Sequence, residues 1–237
     1  MTRKISFDII IFSLIQLVLY LMIFAVGGDI VRYLVIIFAF LFSALFISKD
    51  KNSYLTVGAL AFTLVADLFL VIINPAQQLL GMIFFCGAQF FHASRVHFFF
   101  ESKMVRSITL MFRVAAIFAV QIVTVIVLGD AYDALSAISM LYFTNIILNT
   151  VYAFVHFKRQ PVYALGMLLF VFCDVFVGLS GALGTYFTAS KSSIIYKIAN
   201  PPFDAAWMFY APSQTLISIS SHPTIYKNSK GGRICNR

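Results

Sequence analysis

Asp67 and Asp174 each interrupt a long apolar run, in the segments VADLFL and FCDVFV. A charged group near the centre of a bilayer costs at least about 2.5–3.5 kcal/mol on insertion scales, so such residues face a bundle interior and mark function. Other polar groups fall at a similar level in their own runs: Gln16, Gln89, His92, Gln121, Asn145, Asn149, Ser213 and Gln214. Gln89 and His92 are three apart and Asn145 and Asn149 four apart, so each pair shares one helical face. Two carboxyls with an imidazole and amides nearby suit general acid–base catalysis or a proton relay inside a polar cavity. The blander reading is interhelical hydrogen bonding, worth on average about 0.6 kcal/mol in membranes. It is preferred for Gln16, Gln121 and Asn149. For the two Asp, with no Lys or Arg at the same depth, a functional role is preferred, while His92 stands between proton partner and satisfied core histidine.

The elements that position these groups follow from composition. The chain has 237 residues, 61% hydrophobic and 11% charged, against about 25% charged in a soluble domain. So little polar surface cannot coat a water-soluble globule. Apolar runs lie at about residues 7 to 26, 30 to 48, 54 to 73, 79 to 99, 108 to 128, 133 to 156, 161 to 183 and 203 to 221, each near the length that spans a bilayer. Gly, Pro, Asn and charged residues separate them, as at Gly27-Gly28-Asp29, Lys49-Asp50-Lys51-Asn52 and Lys158-Arg159-Gln160-Pro161. The expected fold is all-α: one eight-helix membrane domain over residues 1–226, then a basic cytoplasmic tail over 227–237. The first run follows Arg3 and Lys4, as a signal peptide would, but it exceeds the about 7–15 residues of a secretory core, so it reads as a retained helix.

Orientation comes from Lys and Arg, which stay on the cytoplasmic side. With the amino terminus inside, the inner loops and termini hold Arg3, Lys4, Lys49, Lys51, Lys103, Arg106, Lys158, Arg159, Lys227, Lys230, Arg233 and Arg237, and the outer loops only Arg32, Lys191 and Lys197. Both termini are therefore expected in the cytoplasm, in a bacterial cytoplasmic membrane. Arg95 and Arg113 lie inside runs near their cytoplasmic ends and are expected to snorkel inward to the cytoplasmic headgroups. Tyr33, Tyr54, Tyr132, Tyr163 and Trp207 lie near run ends and suit an interfacial belt.

The third run, GALAFTLVADLFLVI, and the seventh, GMLLFVFCDVFVGL, share a Gly, a Phe and an Asp followed by an apolar residue and Phe, with a one-residue register difference. Four spans apart, they fit a four-plus-four repeat with the two Asp at matching depth. Other chemistries find no support. The basic residues, net +8, are scattered and do not form a patch with interleaved aromatics, so no nucleic-acid partner is expected. Cys86, Cys173 and Cys235 have no metal-ligand spacing. Phosphate-cradling Gly loops, zinc His pairs and nucleophile elbows do not occur, and no metal or cofactor is expected.

These residues resemble the YhhN-like membrane proteins, whose characterised members are lysoplasmalogenases. That pattern has eight helices: a third span with Gly, Phe and Asp, like Gly58, Phe62 and Asp67; a fourth with a lipid-site His, like His92 beside Gln89; a seventh with an Asp, like Asp174; and an eighth like Tyr210, Ser213 and Gln214. Here Ala66 and Cys173 precede the two Asp, where the family often carries Gly or Ser. The resemblance implies hydrolysis of a vinyl ether in a lysophospholipid-type substrate drawn from membrane lipid. Asp67 and Asp174 would be catalytic, with Gln89, His92, Asn145, Tyr210, Ser213 and Gln214 supporting or binding substrate. Lys191, Lys197 or Trp207 would meet the phosphate. In a low-dielectric interior two neighbouring carboxyls resist ionising together, so a pair supplies one acid and one carboxylate, as this reaction requires. Which Asp is the acid stays open. A proton-coupled transporter is the main rival, since intramembrane Asp and His also build relays; a noncatalytic sensor or assembly protein is a third reading.

Overall fold

The computed structural model describes residues 6–73, 77–100, 102–187 and 190–225. Helix α1 is Phe7–Ala25, α2 Asp29–Leu45, α3 Lys51–Asp67, α4 Gln78–His97, α5 Lys103–Leu128, α6 Ala134–Val155, α7 Pro161–Thr185, α8 Ile194–Ala199 and α9 Ala205–Ser220. The chain is all-helical, with no strand among the described residues. Local chemistry sets the ends. Gly27 and Gly28, at φ of 71° and 96°, turn the chain between α1 and α2 in a conformation other side chains rarely adopt. Asp133 and Ser136 form a reciprocal capping box at the start of α6. Pro161 opens α7, where its missing N–H costs nothing.

Among the described residues, six helical stretches are long and apolar enough to cross a membrane: Phe7–Ala25, Lys51–Ile73, Gln78–His97, Lys103–Ala131, Ala134–Val155 and Pro161–Thr185. The runs at 30 to 48 and 203 to 221 became the shorter helices α2 and α9, of 17 and 16 residues. The first run stops at Leu45, and Asp204 caps α9 by accepting the Trp207 N–H, which holds Phe203 outside the helix. Apolar side chains cover the exterior. On α5, Met104, Met111, Phe118 and Ile126 are each at least 66% exposed, a surface that only acyl chains can solvate without penalty.

Helices α2, α3, α4, α6, α7 and α9 form a closed ring in which each packs on the next and α9 returns to α2. Helix α1 lies outside against α2 and α9, and α5 lies outside against α6. The tightest approaches are within the pairs α3–α4 and α7–α9. A Cβ on Gly58 would collide with the Phe91 ring, and one on Gly166 would collide with Ile217 and its backbone. These are the glycines that open the two similar segments of the sequence.

Three sequence expectations change. Arg95 and Arg113 do not snorkel: they are 0% and 8% exposed and bond inward. Arg95 donates to Thr56 Oγ1 at 2.7 Å, Gln160 Oε1 and the Ser220 carbonyl, with Tyr163 stacked 3.8 Å below its guanidinium. Tyr163 is itself fully buried and so is not interfacial. Polar acceptors on neighbouring segments bind them instead, and charge spacing along one helix cannot report those partners. The amino-terminal Arg3 and Lys4 and the basic tail over 227–237 lie outside the described residues.

Candidate active site

Asp67 closes the regular part of α3, and the next residues, Leu68–Ile73, wind as a π-helix. That wider turn re-aims the side chains around it, a distortion frequent at functional sites. Asp67 is 3% exposed, and its Oδ2 accepts a 2.6 Å hydrogen bond from the Tyr210 hydroxyl on α9. Asp174, on α7, is half-buried and accepts a 2.6 Å hydrogen bond from the Tyr142 hydroxyl on α6. Each acid of the repeated segment thus has a tyrosine partner on an adjoining helix.

The two Asp–Tyr pairs share one interior. The carboxyls lie within electrostatic reach of each other, and Cys173 lies within reach of both. An aromatic row links the tyrosines: Phe85 packs on Tyr142 at 5.5 Å and on Phe170 at 6.2 Å, and Phe170 packs on Tyr210 at 5.4 Å. Gln214 lies one helical turn beyond Tyr210 on the same face. Both polar atoms of its buried amide, and the buried Ser213 Oγ, have no hydrogen-bond partner among the described residues. Buried polar groups are rarely left so, and they suit a reacting water or substrate.

The remaining candidates make their hydrogen bonds to other partners. His92 Nδ1 is 3.1 Å from the Tyr163 hydroxyl, next to Arg95, and its hydrogen bond is not to either Asp. Gln89 and Asn145 join a different network: Asn149 donates to Gln89 Oε1 at 2.9 Å, while Arg113 donates to Asn145 Oδ1 and Asn149 Oδ1, both at 2.7 Å. Tyr142 was missed by sequence reasoning. Its one available signal was its position three residues before Asn145, mid-run, where a tyrosine is too deep for an interfacial role.

At the rim near Tyr210, Arg32 donates to Asp29 at 2.9 Å and to Asp204 at 2.5 Å, tying the start of α2 to that of α9. Its guanidinium lies 5.8 Å from the Trp207 ring, which meets Tyr210 edge-on at 5.1 Å. Outside the spans, the Ser136 backbone N–H and the Tyr186 hydroxyl hold Asp133 below the ordinary carboxylate range. No group of three His, Cys, Asp or Glu among the described residues is placed to hold a metal ion.

The YhhN family model matches residues 27–220. The chain belongs to the YhhN family. No curated protein and no solved structure matches it. The match runs from the turn before α2 to the last residue of α9, so both Asp–Tyr pairs of this YhhN protein, the buried Gln214 and the Arg113 network all fall within family sequence.

Proposed function

We propose that this YhhN protein is an integral membrane lipid hydrolase that cleaves the vinyl-ether bond of a lysoplasmalogen-type lipid. The observation that carries the proposal is the pair of carboxyls in one apolar interior, each hydrogen-bonded at 2.6 Å to its own tyrosine. In such surroundings one carboxyl keeps its proton while the other is ionised. The protonated Asp gives its proton to the outer alkenyl carbon, and an ether-oxygen lone pair forms the C=O⁺ bond of an oxocarbenium ion. The ionised Asp takes a proton from water as the water oxygen adds to the cationic carbon. The hemiacetal then breaks its bond to the glycerol oxygen, which takes the proton now held by the second Asp and leaves as a hydroxyl, while the first Asp takes the proton of the hemiacetal hydroxyl as its oxygen forms the C=O bond of the released fatty aldehyde. One water is consumed and both carboxyls return to their starting states. Each tyrosine holds one carboxyl oxygen so that the other meets substrate, and the Gln214 amide orients water.

The reading extends to topology. Helices α2 and α9 complete eight spans, short ones, with both termini in the cytoplasm of a bacterial cell. A four-plus-four repeat is supported by the packing order: α1 and α5 are both peripheral, and the ring order α2, α3, α4 is repeated by α6, α7, α9.

The test is aldehyde release from lysoplasmalogen by the purified protein in liposomes, with Asp67→Asn and Asp174→Asn beside the native chain. Each variant is expected to lose at least about 100-fold, the lower range for removing a general acid or base. Native-like turnover in both folded variants would sink the mechanism. A proton-coupled transporter draws support from Pro212 inside α9 and the π-helix after Asp67, both breaks in regular helix. Solute flux that depends on a proton gradient, without aldehyde, would favour it.

A further inference from the structure

The cavity of about 430 Å³ between α4, α5 and α6 contains neither Asp. Helix α5 packs on α6 but not closely on α4, so the cleft opens sideways between α4 and α5, toward the surface where Phe90, Met111 and Phe112 are 59–70% exposed. Phe90, Phe98, Leu110 and Leu141 give it an apolar wall, and Arg113 and Asn145 supply its polar end. Arg113 is 8% exposed, and its guanidinium is bonded to two neutral amide oxygens and faces the Tyr152 ring at 5.5 Å. No carboxylate pairs with it among the described residues. His97 on α4 lies within electrostatic reach of both Arg113 and Arg106, and the Tyr152 and Tyr163 hydroxyls lie within reach of Arg113. A buried cation lacking an anion carries a penalty of several kcal/mol that an incoming anion removes.

We propose that this cleft binds one long-chain fatty acid, its carboxylate on Arg113 and its chain along the wall of α4. Three observations select that occupant. The lateral opening admits ligand from the acyl layer. The volume of about 430 Å³ falls in the range of about 300–1,000 Å³ that holds a single small ligand, which suits one acyl chain better than the two of a phospholipid. Arg113 lies ten residues beyond Lys103, about 15 Å along α5, where a glycerol headgroup would bury hydroxyls that this apolar wall does not pair. A carboxylate is the smallest anionic end and matches one guanidinium. The site stands apart from the Asp–Tyr pairs and does not depend on the hydrolase reading.

The experiment uses the full chain in liposomes with a diazirine-bearing palmitic acid, and reads cross-linked peptides by mass spectrometry. Label is expected on segments 86–100, 104–113 and 141–152, competed by palmitate and not by methyl palmitate. Arg113→Gln is expected to lower this labelling at least about tenfold, the size of losing a charge-assisted hydrogen bond. Ala93→Trp, which fills the cleft from α4 and leaves Arg113 in place, is expected to do the same if Arg113→Gln fails to fold. Arg113→Lys keeps part of the signal. Equal labelling in the variants, equal competition by the methyl ester, or stronger competition by an acidic lysophospholipid overturns the proposal.

Discussion

Replacing Tyr210 by Phe isolates one hydrogen bond. The ring stays, with its contacts to Phe170 at 5.4 Å and Trp207 at 5.1 Å, so packing is nearly conserved. What disappears is the hydroxyl that donates to Asp67 Oδ2 at 2.6 Å. Asp67 is 3% exposed, so bulk water does not replace the donor. A hydrogen bond to a charged group contributes about 1.5–3 kcal/mol, and about 1.4 kcal/mol is tenfold in rate. If Asp67 is ionised or develops charge in the rate-limiting step, kcat for aldehyde release falls about 10- to 150-fold on that scale. KM should move little, because the lost bond is within the protein and not to the lipid. The assay is initial-rate aldehyde formation in liposomes at several lysoplasmalogen concentrations, with thermal unfolding to confirm that the variant is folded. A folded Tyr210→Phe protein with native kcat would show that the Tyr210–Asp67 bond takes no part in the reaction, and the argument from paired carboxyls would lose half its geometry.

Gly58→Leu and Gly166→Leu force a side chain into contacts already closed by Phe91 and Ile217; each should cost about 1–3 kcal/mol by overpacking, read as a lower unfolding temperature in detergent. Thr56→Val keeps shape but removes the acceptor of the 2.7 Å bond from Arg95. A loss of about 1.5–3 kcal/mol is expected, and Thr56→Ser should restore most of it. Asp133→Asn tests a pH effect at the α5–α6 turn. Because the folded carboxyl sits below its ordinary value of 3.8, its stabilisation of the α6 cap is complete above that pH and fades as pH falls through the lower folded value. The native chain should therefore lose stability on acidification below about pH 4 more steeply than the variant; parallel curves would refute the role.

Helix placement was legible in the sequence, and partner choice was not. The runs read at 133 to 156 and 161 to 183 are α6 and α7 to within two residues at each end, because a run of apolar residues closed by Asp, Pro or Gly is sufficient to start and stop a helix. The short helix α8 was not visible: its six residues follow a Ser193 cap in a stretch with no long apolar run. Asp67 and Asp174 could be singled out as polar groups in apolar runs and Tyr210 through the family resemblance, yet Tyr142 could not be joined to Asp174, since the bond spans 32 residues and two helices. Equally, Gln89 and Asn145 looked like companions of the Asp pair and instead solvate or flank Arg113 through Asn149.

The amino-acid sequence alone determined that this chain is a bundle of apolar helices with two acids sunk into it, because burying polar side chains in hydrocarbon is expensive enough to be read one residue at a time. Only the tertiary structure decided which groups relieve that expense. A buried donor takes the nearest acceptor in space, and nearness across a helical ring depends on the rotation and tilt of each helix, set by contacts such as Gly58 against Phe91. Two arginines expected at the headgroups turned inward for that reason, and one of them left a cation facing an apolar cleft.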